Sequence, residues 1–283
     1  MNSLFILFQR IVPQHELSRA VGWLAELRSP LWLKNTIIKQ FIKHFKVNME
    51  EAEQPDPASY GNFNEFFTRP LVAGARPIAN ADIVNPADGA ISQLGSIAQG
   101  RIFQAKGQQF TTRELLGGDE ERAAQFDDGQ FATIYLSPRD YHRVHMPMKG
   151  ALTGTCYIPG DLYSVNAVTA ENVDRLFSRN ERLVCYFDTE VGPMVMVLVG
   201  AMIVAGIETV WSGQVAPPLK SPLSIDYRST PAAVTLEQGE EMGRFKLGST
   251  VILLFPKGAM TWDPKYLAGT ATRLGSELGK KLG

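Results

Sequence analysis

The sequence has few cysteines. Among its 283 residues only Cys156 and Cys185 are cysteine. This pair matches no metal-ligand spacing and cannot form the disulfide framework of a small secreted domain. A chain of this length can bury an ample hydrophobic core without such crosslinks. Cysteine usage therefore indicates a protein of a reducing compartment.

The sequence also lacks a hydrophobic run long enough for a membrane-spanning helix. The best candidate, residues 191–207, is interrupted by Gly192, Pro193, Gly200 and Gly206, whereas a span needs about 20 apolar residues. We expect two buried strands there. The apolar residues 4–8 are too few for a secretory signal, and no basic residue precedes them. The sequence thus predicts a protein that does not cross the membrane.

The net charge is close to zero, but the charged residues are unevenly distributed along the chain. The formal net charge is -1. The first 46 residues contain seven basic and two acidic residues, a net of about +5, so the remainder carries about -6. Because the body of the chain is acidic, nucleic acid is not expected as a partner.

Helical spacing of apolar residues marks the first fifty residues. One helix is predicted over residues 16–27 and a second over residues 31–46. The second carries one apolar stripe, with lysines largely off it: Ile37, Ile38, Phe41, Ile42 and Phe45 against Lys34, Lys39, Lys43 and Lys46. Aromatic residues add possible anchors: Phe5, Phe8, Trp23 and Trp32.

Two interpretations of these helices are open. An aromatic and aliphatic face opposite a lysine-rich face is typical of a helix that lies on an anionic membrane surface. The same pattern suits an amphipathic helix packed on its own domain. We predict that residues 1–58 form a basic, amphipathic, helical membrane-association region.

Short β-like runs cut by glycine and proline follow from residue 83 onward. Strands are predicted over residues 83–84, 90–94, 131–136, 183–187, 195–199, 202–204, 233–236 and 251–255. The predicted fold class is therefore α+β, with N-terminal amphipathic helices followed by a mostly antiparallel β-sheet catalytic body over residues 59–283. The short, basic segment 274–283 is expected to fray.

The four histidines separate into two pairs. His15 and His44 lie in the helical region and are expected at the surface, whereas His142 and His145 stand three residues apart. With Asp140 they could bind zinc, but the chain lacks the glutamate and the uninterrupted helix of an H-E-x-x-H site. Purely structural roles are also open for both.

Asp88 and Ser249 have ordinary explanations when each is taken alone. Asp88 precedes Gly89 in a turn-forming context, and Ser249 follows Gly248 where an apolar, β-branched run begins. Together with His145, however, they supply the three residue types of an Asp–His–Ser triad. Their order along the chain is no objection, because triads occur in several orders.

Five segments in order give the sequence its resemblance to a known family. They are FNEFF from Phe63 to Phe67, PADG from Pro86 to Gly89, YLSPRDYHRVHMP from Tyr135 to Pro147, YIPGD from Tyr157 to Asp161, and GRFKLGST from Gly243 to Thr250. The chain resembles bacterial phosphatidylserine decarboxylases from about residue 60 to residue 255, with a compatible basic region ahead.

The resemblance implies a proenzyme that cuts itself between Gly248 and Ser249, giving chains 1–248 and 249–283. Asp88, His145 and Ser249 would form the self-cleavage triad. Ser249 would become a covalent pyruvoyl group that forms a Schiff base with phosphatidylserine, releases CO2 and yields phosphatidylethanolamine. His142 is the candidate for decarboxylation or substrate placement. No metal and no nucleotide are expected as cofactors.

The resemblance also implies partners and a location. They are the phosphatidylserine substrate, an anionic phospholipid surface, and a heterodimer of the two cleavage chains, with further dimerisation left open. The expected location is peripheral, on the cytoplasmic face of the bacterial cell membrane. Two other functions are open. A serine hydrolase would use the same triad on an external ester, although the G-x-S-x-G elbow is missing around Ser249. A membrane-binding module without activity would keep Gly248-Ser249 as a turn.

Overall fold

The computed structural model describes residues 6–7, 9, 11–105, 107–202, 206–216, 221–228, 233–246 and 248–282. Several sequence predictions fall outside these residues: the anchors Phe5 and Phe8, the end of the predicted strand 202–204, and Leu247. No helix of the described residues combines the length and apolar character that a membrane span requires.

Both predicted N-terminal helices are present. The helices are α1 Gln14–Ala25, α2 Leu31–Phe45, α3 Phe63–Phe67, α4 Thr112–Leu115, α5 Glu120–Ala124, α6 Ala167–Asn172 and α7 Leu176–Arg179, with a 3-10 turn at Pro57–Ser59. Helix α2 begins directly after Pro30 and ends at Lys46, which has a left-handed backbone with φ of 55°. Lys43 and His44 lie in its last turn, where positive charge suits the helix dipole.

The apolar stripe of α2 packs inside the protein. Ile38 is fully buried, and the other stripe residues pack around α3. Phe41, for example, meets Phe63 edge to face with ring centroids 5.0 Å apart. The interpretation that this helix packs on its own domain therefore holds for the stripe. Tyr60 and Phe63 belong to the same cluster as Ile38, so residues on both sides of the predicted boundary at 58/59 share one core.

Lys34 differs from the other lysines of α2. Sequence periodicity placed it on the basic face, yet it is buried, and its Nζ donates hydrogen bonds to the backbone oxygens of Ala58 and Tyr60. Lys39, Lys43 and Lys46 are exposed, as expected for a basic face. Four exposed apolar side chains of this region lie on either side of the α1–α2 connection: Trp23, Leu24, Leu31 and Trp32. Leu7 and Ile11 are also exposed, nearer the N-terminus.

The remainder of the chain is a mostly antiparallel β body, as predicted. The strands are β1 Ile83–Val84, β2 Gly89–Ser96, β3 Arg101–Ala105, β4 Gln108–Thr111, β5 Gln130–Leu136, β6 Arg143–His145, β7 Gly150–Ile158, β8 Arg182–Thr189, β9 Gly192–Val199, β10 Gly206–Thr209, β11 Gly213–Ala216, β12 Leu223–Asp226, β13 Thr235–Leu236, β14 Glu241–Lys246, β15 Ser249–Phe255, β16 Met260–Trp262, β17 Ala271–Thr272 and β18 Glu277–Lys281.

Within the described residues, the main sheet has nine strands. Its order is β12-β7-β8-β9-β15-β5-β2-β17, with β13 also paired to β7. A second sheet has the order β11-β10-β14-β6, and a third has the order β1-β18-β16. Strand β14 ends at Lys246 in the second sheet, and β15 begins at Ser249 in the main sheet. The candidate cleavage site, Gly248-Ser249, therefore lies at the start of β15.

Strand β15 lies in the interior of the main sheet. It pairs with β5 on one side and β9 on the other, and all seven of its residues are buried. Val251, Leu253 and Phe255 join one hydrophobic cluster, while Ile252 and Leu254 join another. Side chains alternate between the faces of a strand, so Ser249 lies on the same face as Val251. Burial on both faces explains the continuous apolar run in the sequence.

The expectation that the C-terminal segment frays is wrong. Residues Glu277–Lys281 form β18, which pairs with β1 and β16, and Leu278 is fully buried. Local charge suggested a loose tail, but the pairing partners are distant in sequence and fix the segment. Strands β15 to β18 all lie in residues 249–283. A cut after Gly248 would therefore leave a small chain that pairs with the large chain in two sheets.

Candidate active site

The predicted cleavage site combines a left-handed glycine with a buried serine. Gly248 has φ of +61°, a conformation that glycine adopts without the steric cost other residues incur. Ser249 is the first residue of β15 and pairs with Leu136 of β5. Its side chain is fully buried, and its Oγ has no hydrogen-bond partner among the described residues. A buried hydroxyl without a partner is costly, which makes the position a candidate for function.

His142 is connected to the chain segments around Ser249 through two hydrogen bonds. Its Nε2–H donates to the carbonyl oxygen of Ser137, 3.0 Å away, and Ser137 follows the pairing partner of Ser249. Its own carbonyl oxygen accepts from the backbone N–H of Phe245, at 3.0 Å, on the strand that leads into Gly248. The imidazole stacks on Phe67 with ring centroids 4.0 Å apart.

The environment of His142 keeps its ring neutral. Complete burial, reinforced by the positive charge of Arg69, lowers the pKa of His142 to about 3. Since Nε2 carries the proton that Ser137 accepts, Nδ1 bears a free lone pair. This atom is buried and has no partner within the described part of the chain. His142 is thus an uncharged base at neutral pH.

His145 is also held as a neutral base, by different contacts. It lies on β6, and its Nδ1–H donates to the carbonyl oxygen of Gly239 at 2.8 Å. Its Nε2 accepts from the hydroxyl of Tyr141 at 3.2 Å. Burial raises the pKa of Tyr141 to about 12, so the phenol remains a donor. Burial lowers the pKa of His145.

Asp88 is fixed by an arginine. Its carboxylate accepts from Arg76 Nε at 2.9 Å and Arg76 Nη2 at 2.5 Å, and from the backbone N–H of Leu274 at 2.9 Å. Burial alone would lower the pKa of Arg76, but the hydrogen bonds to Asp88 and Glu51 raise it. The bend that carries Asp88 lies beside His145, whose backbone N–H donates to Pro86 at 2.8 Å.

The structure therefore assembles the predicted residues in part. Burial lowers the pKa of His145, and the hydrogen bond to Gly239, the charge of Glu241 and, more weakly, the charge of Asp88 oppose this effect. Among the hydrogen bonds of the described residues, none joins Asp88 to His145, and none joins either histidine to Ser249. Gly239 and Tyr141 occupy the two ring nitrogens of His145 instead. The triad roles of Asp88, His145 and Ser249, and the role of His142, stay predictions.

Sequence reasoning missed three neighbours of these residues. Tyr141 lies inside the longest motif, and its spacing of four residues from His145 was a usable signal. Arg76 precedes a proline outside the motifs, and only the fold shows that it holds Asp88. Gly239 acts through its backbone oxygen, for which a sequence carries no signal.

The chemistry of the site suits a pyruvoyl group derived from residue 249. The Oγ of Ser249, buried without a partner among the described residues, directly follows a glycine with a left-handed backbone. The imidazoles of His142 and His145 belong to neighbouring chain segments. No cluster of three or more histidine, cysteine or acidic side chains that could hold a metal occurs in the described ranges. Cys156 and Cys185 are both buried and free.

Burial of His142 predicts a dependence of stability on pH. Its folded pKa of about 3 lies below the ordinary value of 6.5. Between these values the unfolded chain binds a proton that the folded chain does not, so folding weakens as pH falls. Two proteins are compared: Ser249→Ala, and Ser249→Ala that also carries His142→Gln. The free energy of unfolding of the first, minus that of the second, should fall by about 1.4 kcal/mol for each pH unit below pH 6.5.

Urea unfolding followed by tryptophan fluorescence at pH 7.5, 6.0 and 5.0 measures this difference. The matched control is His44→Gln in the same Ser249→Ala protein, because His44 is an exposed histidine. Equal pH dependence for the two histidine variants would show that the His142 ring takes up a proton in the folded state.

Comparison with known proteins assigns the chain to a family. The family model described as phosphatidylserine decarboxylase matches residues 63–280, and a second model, described as PSD, matches residues 4–46. A phosphatidylserine decarboxylase proenzyme of Hahella chejuensis is 58% identical, covering 99% of this chain and 95% of the relative. Proenzymes of the same name from Stutzerimonas stutzeri and Marinobacter nauticus are 57% and 55% identical, each over 99% of this chain, covering 95% and 98% of those relatives. The chain belongs to the phosphatidylserine decarboxylase family.

Proposed function

We propose that this protein decarboxylates phosphatidylserine to phosphatidylethanolamine after cutting itself between Gly248 and Ser249. The observation that carries the proposal is the buried Ser249 hydroxyl, which has no partner among the described residues and directly follows a glycine with φ of +61°. The products are a large chain of residues 1–248 and a small chain of residues 249–283. The name of the relatives, which includes the word proenzyme, supports a precursor that requires cleavage.

Cleavage begins with attack of the Ser249 Oγ on the carbonyl carbon of Gly248. A C–O bond forms, the C–N bond to Ser249 breaks, and the proton lost by Oγ passes through a base to the new amine. We assign the base to His145, whose Nε2 lone pair is available once Tyr141 yields its contact. The negative charge of Glu241 and, more weakly, that of Asp88 stabilise the imidazolium that forms.

The ester then eliminates. Loss of the proton on Cα of residue 249 breaks its Cβ–Oγ bond, so Gly248 leaves as a carboxylate. Water hydrolyses the remaining enamine, releases ammonia and leaves the pyruvoyl group at the start of the small chain. When present, this group supplies an electron sink for the pair freed on decarboxylation. Residue 249 is held by its pairing with Leu136 of β5, and the pairing of β15 with β9 begins at the next residue, Thr250.

We assign to His142 the movement of a proton during decarboxylation. In the free protein, burial and the charge of Arg69 make this ring a weak base. The anionic headgroup of the bound substrate offsets the charge of Arg69 and makes the ring more basic. Nδ1 then takes a proton from the substrate amine, which must be uncharged to act as a nucleophile, and returns a proton to the substrate Cα after CO2 has left. The hydrogen bond to Ser137 and the stacking on Phe67 fix the ring for both steps.

The N-terminal region is proposed to hold the protein at the membrane surface. The docking patch consists of the exposed Trp23, Leu24, Leu31 and Trp32 beside the α1–α2 connection. Each large apolar side chain contributes about 1.5–3 kcal/mol on burial. Each exposed lysine near anionic lipid adds about 1 kcal/mol, and Lys39, Lys43 and Lys46 are available. We place the protein on the cytoplasmic face, in accord with its two free cysteines.

Substitution of the site residues tests the division of roles. Ser249→Ala and His145→Ala should remain at full length on a denaturing gel, because the nucleophile or its base is lost. His142→Ala should cleave, yet release labelled CO2 from carboxyl-labelled phosphatidylserine at least about 100-fold more slowly, since a lost proton-transfer group costs that much. His44→Ala, at an exposed histidine, is the control and should behave as the unmodified protein.

Two results would change these assignments. Normal maturation of His145→Ala would transfer the base to another group, and the free Nδ1 of His142 would be the next candidate. Full decarboxylase activity in His142→Ala would remove this histidine from the second reaction. An uncut protein whose Ser249 reacts with a fluorophosphonate would favour a serine hydrolase.

The docking patch makes a separate prediction. Trp23→Ser combined with Trp32→Ser should lower binding to vesicles that contain anionic phospholipid by at least about 100-fold, because two buried aromatics are lost. Sedimentation with the vesicles at low salt measures the binding. Leu267→Ser, which removes an equally exposed apolar side chain outside the helices, is the control. Unchanged sedimentation of the double variant would place membrane contact elsewhere.

A further inference from the structure

A polar cavity of about 180 Å³ lies beside Asp88. Its lining includes four cationic and three acidic side chains: Lys46, Arg69, Arg76 and Arg139, with Glu51, Asp88 and Asp140. Arg76 is paired with both Asp88 and Glu51, and Arg139 lies 3.8 Å from Asp140. The ion pairs thus account for two of the four cations. Arg69 and Lys46 remain to give the cavity its positive character.

Arg69 is the unusual member of this set. It is 3% exposed, and it forms no ion pair with a carboxylate in the described part of the chain. Its Nε–H is buried without an acceptor, and its Nη2 makes only a long contact, 3.4 Å, to the backbone oxygen of Arg139. Buried charges in proteins are normally paired. Arg69 does lie over the ring of Phe66, 5.5 Å from its centroid, and the charges of Asp88 and Asp140 act on it without a direct ion pair. A guanidinium that is buried, without a carboxylate partner and on a cavity wall is therefore prepared for an anion that is bound from outside.

The cavity adjoins the candidate active site. Asp140 and Tyr141 form part of its wall. Asp140 accepts from the backbone N–H of Ser137 at 2.7 Å, and the carbonyl oxygen of Ser137 in turn accepts from His142. Arg69 is near enough to His142 for its charge to lower the pKa of that ring. An anion bound at Arg69 would thus lie next to the residues that surround Ser249.

We propose that Arg69, assisted by Lys46, binds the phosphodiester of the lipid headgroup during decarboxylation. This inference rests on the proposed function. The substrate carries two anionic groups, but only the phosphodiester keeps its charge through the reaction. A cation on the carboxylate would stabilise the ground state more than the transition state, in which that charge is leaving, and would slow the reaction. Arg69 therefore suits the phosphodiester, with a guanidinium fork that matches its oxygens.

Direct binding to uncut protein tests the proposal without any chemistry at residue 249. Ser249→Ala protein is titrated calorimetrically with dihexanoyl phosphatidylserine below its critical micelle concentration. Adding Arg69→Met should weaken binding by about 10-fold or more, as expected when a charged hydrogen bond is lost. Lys46→Met should weaken lipid binding less than Arg69→Met. Because Lys46 is exposed, its replacement should leave folding intact. Arg113→Met, at an exposed arginine paired with Glu120, is the matched control and should bind as its parent does.

Kinetics of matured protein provide the second readout. Arg69→Met should still cleave itself. Its KM for dihexanoyl phosphatidylserine should rise by about the same 10-fold, while its kcat stays within about threefold of the wild-type value. The reason is that the phosphodiester keeps its charge, so Arg69 binds it equally in the ground state and the transition state. The KM of Arg69→Lys should fall between the KM of the wild-type protein and that of Arg69→Met. Inorganic phosphate should compete with the lipid in the calorimetric experiment.

Several outcomes would overturn the proposal. They are equal lipid affinity of Arg69→Met and its parent, a fall in kcat at unchanged KM, and binding of inorganic phosphate that does not compete with the lipid. The second would show that Arg69 acts on His142 alone. Failure of the proposed function would look different, because wild-type protein would then remain uncut or release no CO2 whatever the binding result.

Discussion

Two antiparallel pairings meet at Gly248-Ser249, and the site depends on their registers. The pairing of β14 with β6 places Phe245 beside His142, and the pairing of β15 with β5 places Ser249 opposite Leu136. A shift of β15 by one residue would turn Ser249 to the opposite face of the sheet. Burial of β15 on both faces fixes its register, so the hydrophobic core of the main sheet positions the candidate nucleophile.

Several of the buried polar atoms without partners belong to residues of the candidate site and of the cavity beside it. Oγ of Ser249, Nδ1 of His142 and Nε of Arg69 are all buried without partners among the described residues. Each lowers the stability of the folded chain, and natural proteins depart from such local rules mainly at functional sites. A common explanation is that the three atoms face reaction partners: the backbone that is cut, the proton that moves, and the anion that binds.

Local sequence patterns predicted much of the fold. Periodicity located both N-terminal helices and most core strands, including β15, and the motifs contained Asp88, His142, His145 and Ser249. The failures share a physical cause, which is that the deciding partners are distant in sequence. Strand β18 forms because β1 and β16 pair with it. Lys34 is buried because the backbone oxygens of residues 58 and 60 accept from it. The proposed anion-binding role of Arg69 rests on its lack of a carboxylate partner, and only the folded structure shows this.

The intact masses of the purified, active protein test the central claim most directly. Self-cleavage with pyruvoyl formation predicts a large chain with the mass of residues 1–248. It also predicts a small chain lighter than residues 249–283 by one ammonia, because the amine of Ser249 leaves as ammonia. The two chains should elute together under native conditions, since β15 to β18 stay paired. An active protein with the mass of the uncut chain, or a small chain that begins with an unmodified serine, would contradict the account.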